Sequence, residues 1–259
     1  MDKRPIAFFD SGVGGLTVFK KVKEKLPNED YLYFGDLKNS PYGAKSREEL
    51  IEIADEIFRF FEKKDVKAVI MACNTTSANT YEVLKDKYKF KIYPIIQSCA
   101  KIIAQLPVEK IGVFATEATI KSGVYERELK KYNPNLKVFE MSCPPWVKIV
   151  EQKLQAAPTS INCIREYLEK MLKNSPEKII LGCTHYPYLL DILENFTSRD
   201  IFIDPAEYFA ELIKEDLNLN NLLNDKTTGS EQFFVSANRK EFKQASSIFY
   251  PMNELPILV

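Results

Sequence analysis

At 259 residues the chain is long enough for one large domain or for two of roughly 100–150 residues each. Lys+Arg and Asp+Glu balance at 36 each in a composition that is 45% hydrophobic and 28% charged, as in soluble globular proteins, and no basic excess or stripe favours nucleic acid as a partner. No apolar run approaches the roughly 20 residues that span a bilayer, which speaks against a membrane role, and the start Met1-Asp2-Lys3-Arg4-Pro5 leads straight into a strand. Five cysteines, an odd count without the spacing of a disulfide scaffold, suit free thiols in a reducing cytoplasm.

Short β-branched or aromatic runs alternate with helical stretches from end to end, the pattern of α/β architecture on parallel sheets. A first strand over residues 6–9 runs into Asp10-Ser11-Gly12-Val13-Gly14-Gly15 and a helix. This turn is not the dinucleotide fingerprint, because Thr17 stands where the third glycine would be, and it lacks the Gly-Lys-Ser/Thr of a Walker loop. Its glycines suit close approach of backbone N–H groups to an anion, and a merely tight turn does not account for the charged Asp10. A second strand over residues 31–34 leads through Gly35-Asp36 to Pro41-Tyr42-Gly43, an ordinary turn or, beside a cleft, backbone that holds a carboxylate. The third strand, Ala68 to Met71, ends in Cys73-Asn74-Thr75, and a fourth is read over residues 92–96.

From residue 111 the series starts again. A strand over 111–114 opens into Ala115-Thr116-Glu117-Ala118-Thr119, and strands over 137–140, 179–181 and 201–203 follow, the third of them ending in Cys183-Thr184-His185. Equivalent elements recur at 105–110 residues, and Cys73 and Cys183 lie 110 positions apart. A helix over 206–217, a polar segment over 218–230, a strand over 232–235 and a helix from about Asn238 are expected to return to the first half. The chain is therefore read as two doubly wound, flavodoxin-like parallel-sheet domains related by a pseudo-two-fold axis. The first comprises residues 1–97 with 207–259, the second residues 98–206.

Ligands of such sheets sit beyond the carboxyl ends of the strands, so two facing edges would form one cleft with a thiol on each wall. For either cysteine alone, packing is the more frequent role. Their matched positions, each after a strand and expected to open a helix whose N-terminus lowers a thiol pKa from about 8.5, favour chemistry instead. Two opposed thiols can remove a proton from one face of a carbon and return one to the other, which inverts the centre. Cys99, Cys143 and Cys163 lack this context and are read as packing. His185, the one histidine, is a proton partner for Cys183 or a satisfied structural residue. Metal ligation is set aside because no second Cys/His cluster completes a site, and phosphatase chemistry because the turn after Cys73 carries no arginine.

Taken together, Phe9-Asp10-Ser11-Gly12-Val13-Gly14-Gly15-Leu16, Tyr33-Phe34-Gly35-Asp36 with Pro41-Tyr42-Gly43, Ala72-Cys73-Asn74-Thr75-Thr76-Ser77-Ala78, Thr119-Ile120-Lys121-Ser122 with Tyr125, Cys143-Pro144 with Val150-Glu151, and Gly182-Cys183-Thr184-His185-Tyr186-Pro187 resemble the glutamate racemases. The resemblance spans residues 6–187 in family order. It implies a cofactor-independent isomerase that makes D-glutamate for peptidoglycan, with Cys73 and Cys183 as the two acid/base thiols. Asp10 would support the first thiol, and His185 with Glu151 the second. Asp10, Ser11, Tyr42, Gly43, Asn74, Thr75, Thr184 and His185 would contact substrate. No metal is implied, and homodimerisation is an expectation of the family alone. The alternatives are an aspartate or related racemase of the same superfamily, a one-cysteine decarboxylase relative, and a non-catalytic amino-acid-binding homologue.

Overall fold

A computed structural model describes all 259 residues. The first half runs β1 (Ile6–Asp10), α1 (Leu16–Lys25), β2 (Tyr31–Gly35), α2 (Arg47–Lys63), β3 (Ala68–Met71), α3 (Asn74–Leu84), β4 (Lys91–Pro94) and α4 (Ile95–Ala104). The second runs β5 (Lys110–Ala115), α5 (Glu117–Lys121), α6 (Val124–Tyr132), β6 (Lys137–Ser142), α7 (Pro144–Glu151), α8 (Pro158–Leu172), β7 (Lys178–Gly182), α9 (Leu190–Leu193) and β8 (Phe202–Ile203). Then come α10 (Pro205–Leu219), β9 (Glu231–Val235), α11 (Arg239–Ser246) and β10 (Ile257–Leu258). None of the helices is long and apolar enough to cross a membrane.

The strands form two all-parallel sheets, ordered β10-β9-β2-β1-β3-β4 and β6-β5-β7-β8. The repeat is visible in these orders: β2-β1-β3-β4 and β6-β5-β7-β8 are the same arrangement. Register carries it to single residues. Phe9 pairs with Met71 and Phe114 with Leu181, and each cysteine stands two residues past the second partner. By this alignment Asp10 corresponds to Ala115, Ser11 to Thr116, Asn74 to Thr184 and Thr75 to His185.

The fourth strand is shorter than in the sequence reading. Ile95 and Ile96 open α4 instead of extending the fourth strand. Pro94 ends β4 in extended conformation, and the Ile96 N–H then donates to Ser77 Oγ at 3.2 Å, which supplies a first-turn donor of the helix with an acceptor. Residues 97 and 206, the expected crossing points, consequently lie within α4 and α10. These two helices pack on each other, and α10 also packs on α1, so the chain passes between sheets through helices and not through linkers. The apolar core follows the same path. A single cluster of 51 buried residues includes Phe19 of α1, Ile213 of α10, Ile103 of α4 and Val113 of β5, and therefore serves both sheets. A separate cluster of 18 fills the other face of the first sheet under α2.

The polar return after α10 is fastened by a buried charge pair. Lys67, fully buried just before β3, donates to Glu29 Oε2 at 2.5 Å, to the Asp2 carbonyl at 2.9 Å and to the Leu222 carbonyl at 2.7 Å. Glu29 Oε1 accepts the Asn224 N–H at 2.8 Å. All three ammonium protons and both carboxylate oxygens thereby have partners, which is the condition under which burying the pair is tolerable.

Candidate active site

Both sheets turn their carboxyl edges toward a shared cleft containing a cavity of about 260 Å³. That is smaller than the roughly 300–1,000 Å³ of sites for drug-sized molecules and suits a small metabolite. Cys73, Asn74 and Thr75 line it from the first sheet and Cys183, Thr184 and His185 from the second. Ser11, Tyr42 and Gly43 complete the first wall, and Glu151 stands at the rim with its side chain 38% exposed. Of the residues expected from sequence, only Asp10 is absent from the lining: it is fully buried behind the wall.

Asp10 explains the glycine-rich turn differently from the sequence reading. The anion cradled by the turn is the Asp10 carboxylate itself, whose Oδ2 accepts the Gly12 N–H at 3.0 Å. The absence of a side chain at Gly14 serves another purpose. A Cβ there would lie 2.3 Å from Thr184 Oγ1 and 2.6 Å from His185 Cε1, so Gly14 lets the two walls meet. Thr184 in turn donates to Asp10 Oδ1 at 3.5 Å across the cleft.

The Tyr42-Gly43 turn is held from behind. Asp36, buried at the end of β2, accepts the Tyr42 hydroxyl at 2.5 Å, the Asn39 amide at 2.9 Å and the Ser236 hydroxyl at 2.6 Å. A capping box follows at once: Ser46 Oγ accepts the Glu49 N–H and Glu49 Oε2 accepts the Ser46 N–H, which starts α2 and fixes where the turn ends.

The two thiols sit in unlike surroundings. Cys73 is the N-cap of α3, and the N–H and hydroxyl of Thr76 favour its ionised form as the sequence reading anticipated. Burial and the nearby Asp10 carboxylate nevertheless win, pushing the thiol up to about 12 rather than down. Cys183 does not open a regular helix: the chain continues into a 3₁₀ turn over Tyr186–Leu189, then the four-residue α9. What it has instead is His185, whose Nδ1 lies 3.7 Å from Cys183 Sγ and whose Nε2 lies 3.0 Å from Glu151 Oε1. Burial works against charge on this imidazole, but Cys183 and Glu151 together raise it to about 10, so it is an imidazolium at neutral pH. Phe249, from the returning segment, covers it edge-on at 5.9 Å. Burial raises Asp10 as well, opposed by the His185 charge. Cys99 and Cys143 are buried away from the cavity lining, and Cys163 is half-buried in α8.

Sequence reasoning missed a cluster of hydroxyls joining the walls. Thr116 Oγ1 lies 2.8 Å from Thr75 Oγ1 and 2.9 Å from Thr119 Oγ1, and all three are buried. The signal was present in the repeat, since Thr116 occupies the place of Ser11. Pro144 and Val147 of α7 also line the cavity, and an outer groove shares Ser40, Pro41, Pro144, Val147 and Glu151 with it.

Residues 14–213 match the profile of the Asp/Glu/Hydantoin racemase family. The glutamate racemase of Carboxydothermus hydrogenoformans is 39% identical over 256 residues, covering 98% of this chain and 95% of that protein. That of Thermoanaerobacter pseudethanolicus is 38% identical over 244 residues, covering 93% and 91%. Among solved structures, glutamate racemase from Francisella tularensis in complex with D-glutamate superposes with a TM-score of 0.93 at 33% identity, covering 100% of this chain and 98% of that one.

Proposed function

We infer that this chain, which belongs to the Asp/Glu/Hydantoin racemase family, interconverts L- and D-glutamate by proton transfer at Cα between two cysteines. The observation that carries the reading is the placement of Cys73 and Cys183 at equivalent strand ends on opposite walls of one small cavity. The D-glutamate formed serves peptidoglycan synthesis, the role of the family. We place the protein in the cytoplasm, where free thiols stay reduced, and take a homodimer as its assembly. On this reading residues 1–97 with 207–259 act as one wall and residues 98–206 as the other.

One sulfur, as thiolate, removes the α-proton, while the other, as thiol, delivers its proton to the opposite face of Cα. The substrate leaves inverted and the two sulfurs have exchanged protonation states. At rest Cys73 keeps its proton, because burial and Asp10 oppose ionisation. Beside Cys183 the His185 imidazolium is a counter-charge for a thiolate and a source of protons. Asn74 offers its amide to a substrate carboxylate in the ground state and the transition state alike, and Thr75, Thr184 and Ser11 offer neutral donors as charge builds at the carbanion. Such preorganised donors are each worth about 3–4 kcal/mol in comparable sites. Tyr42 and Gly43, held by Asp36, offer backbone N–H groups.

The test is L-glutamate with the purified protein in D₂O, followed by optical rotation and by ¹H NMR at Cα. Inversion with deuterium at Cα is the expected result. Exchange with aspartate but not glutamate would move the chain to a sister specificity, and no exchange with either would leave only a binding protein.

A further inference from the structure

Asn74 has a partner in the opposite wall that the mechanism above does not use. Tyr125, in the first turn of α6, is 2% exposed, and its hydroxyl lies 2.6 Å from Asn74 Oδ1. That distance belongs to O–H···O geometry and is shorter than the usual 2.7–3.2 Å of N–H···O, so the phenol donates and the amide oxygen accepts. A carboxamide carries an acceptor on one side and donors on the other. With its oxygen bound to Tyr125, Asn74, which lines the cavity, directs Nδ2–H₂ into it.

The ring reaches this position because residue 182 has no side chain. A Cβ on Gly182, the residue before Cys183, would lie 2.9 Å from Tyr125 Cε2 and 3.1 Å from its hydroxyl. The ring thus lies across the end of β7 and delivers its hydroxyl to the first residue of α3, from one sheet to the other.

We propose that Tyr125 is a positioning residue that locks the Asn74 carboxamide with its donors toward the substrate carboxylate, so that this donor is in place only when the two walls are together. The proposal rests on the racemase reading. It predicts a defect in binding rather than in proton transfer, equal in both directions because the lock is indifferent to the configuration of Cα.

The experiment compares Tyr125→Phe, Asn74→Ala and the double variant with the unsubstituted protein, measuring KM and kcat for L- and D-glutamate and the melting temperature. Tyr125→Phe, which removes one oxygen and keeps the ring, is expected to raise KM about tenfold in both directions, with kcat within about threefold. In the Asn74→Ala background it is expected to change KM less than twofold. An unchanged KM in the single variant, or the same tenfold factor in both backgrounds, would overturn the proposal. If Tyr125→Phe does not fold, Tyr125→Met, an unbranched side chain that also lacks the hydroxyl, takes its place. A KM raised about tenfold that disappears in the Asn74→Ala background supports the lock, and an unchanged KM overturns it. Failure of the unsubstituted protein to racemise glutamate would instead sink the reading on which the proposal rests.

Discussion

Cys73 and Cys183 stand at the same point of the same four-strand arrangement, yet almost nothing around them is repeated. The carboxylate of Asp10 has Ala115 as its counterpart, and the imidazole of His185 has the hydroxyl of Thr75. One wall therefore holds its sulfur protonated by burial and a negative neighbour, and the other sets its sulfur beside an imidazolium tied to Glu151. Duplication supplied the geometry that an inversion needs, two groups facing one carbon. Divergence supplied the charge difference: a carboxylate beside one sulfur, and an imidazole tied to Glu151 beside the other.

The largest effect expected is from removing either sulfur. Cys73→Ser and Cys183→Ser are each expected to lower racemisation about a thousandfold or more, within the range of a lost acid/base group. Each should still exchange the α-proton of one enantiomer with solvent, a different enantiomer in the two variants. Full racemase activity in both would break the comparison outright. Next in size is Gly14→Ala, which touches neither sulfur. The new methyl group would displace Thr184 and His185, and a misplacement of about 1 Å is worth roughly a hundredfold in kcat/KM. Activity equal to that of the unsubstituted protein would show that the walls do not need to meet there.

The smallest effect sharpens the electrostatic side of the contrast. His185 titrates at about 10, so its charged form prevails below that pH and is lost above it, and kcat/KM should fall as pH rises through about 10. Glu151 is one of the groups that raise it. Glu151→Gln is therefore expected to cost only a few-fold at neutral pH while moving this alkaline limb to lower pH. A limb that stays in place would remove Glu151 from the chain of proton partners.

Most of this site was legible because strand ends write themselves in sequence: an apolar run, then Cys-Asn-Thr or Cys-Thr-His, at matching intervals. The repeat also located Ser11 and Thr116, although only the first was read as functional. What stayed hidden depended on depth and on contacts between distant segments. A helix N-terminus after Cys73 suggested a more acidic thiol, but burial, which no local motif encodes, reversed the sign. Ile95 looked like strand because its apolar neighbours fit either structure, and the acceptor that starts its helix, Ser77, lies elsewhere in the chain. Lys67, the residue before β3, is a buried tie to segments 38 and 155 positions away, a role that nothing in its local sequence marks.

The strand order also has a consequence for how the protein is made. Sheet order β6-β5-β7-β8 draws on one uninterrupted stretch of chain, so it can close as soon as Ile203 leaves the ribosome. The other sheet has no such independence: the outer edge of β2, Tyr31–Gly35, pairs with Glu231–Val235. At about 5–20 residues per second, that edge waits roughly 10–40 s for its neighbour. Its sequence, Tyr31-Leu32-Tyr33-Phe34, is of the kind that pairs readily with other chains when left open. The half that is translated first is therefore the half that finishes last, and its exposure during synthesis is set by the length of the insertion it carries.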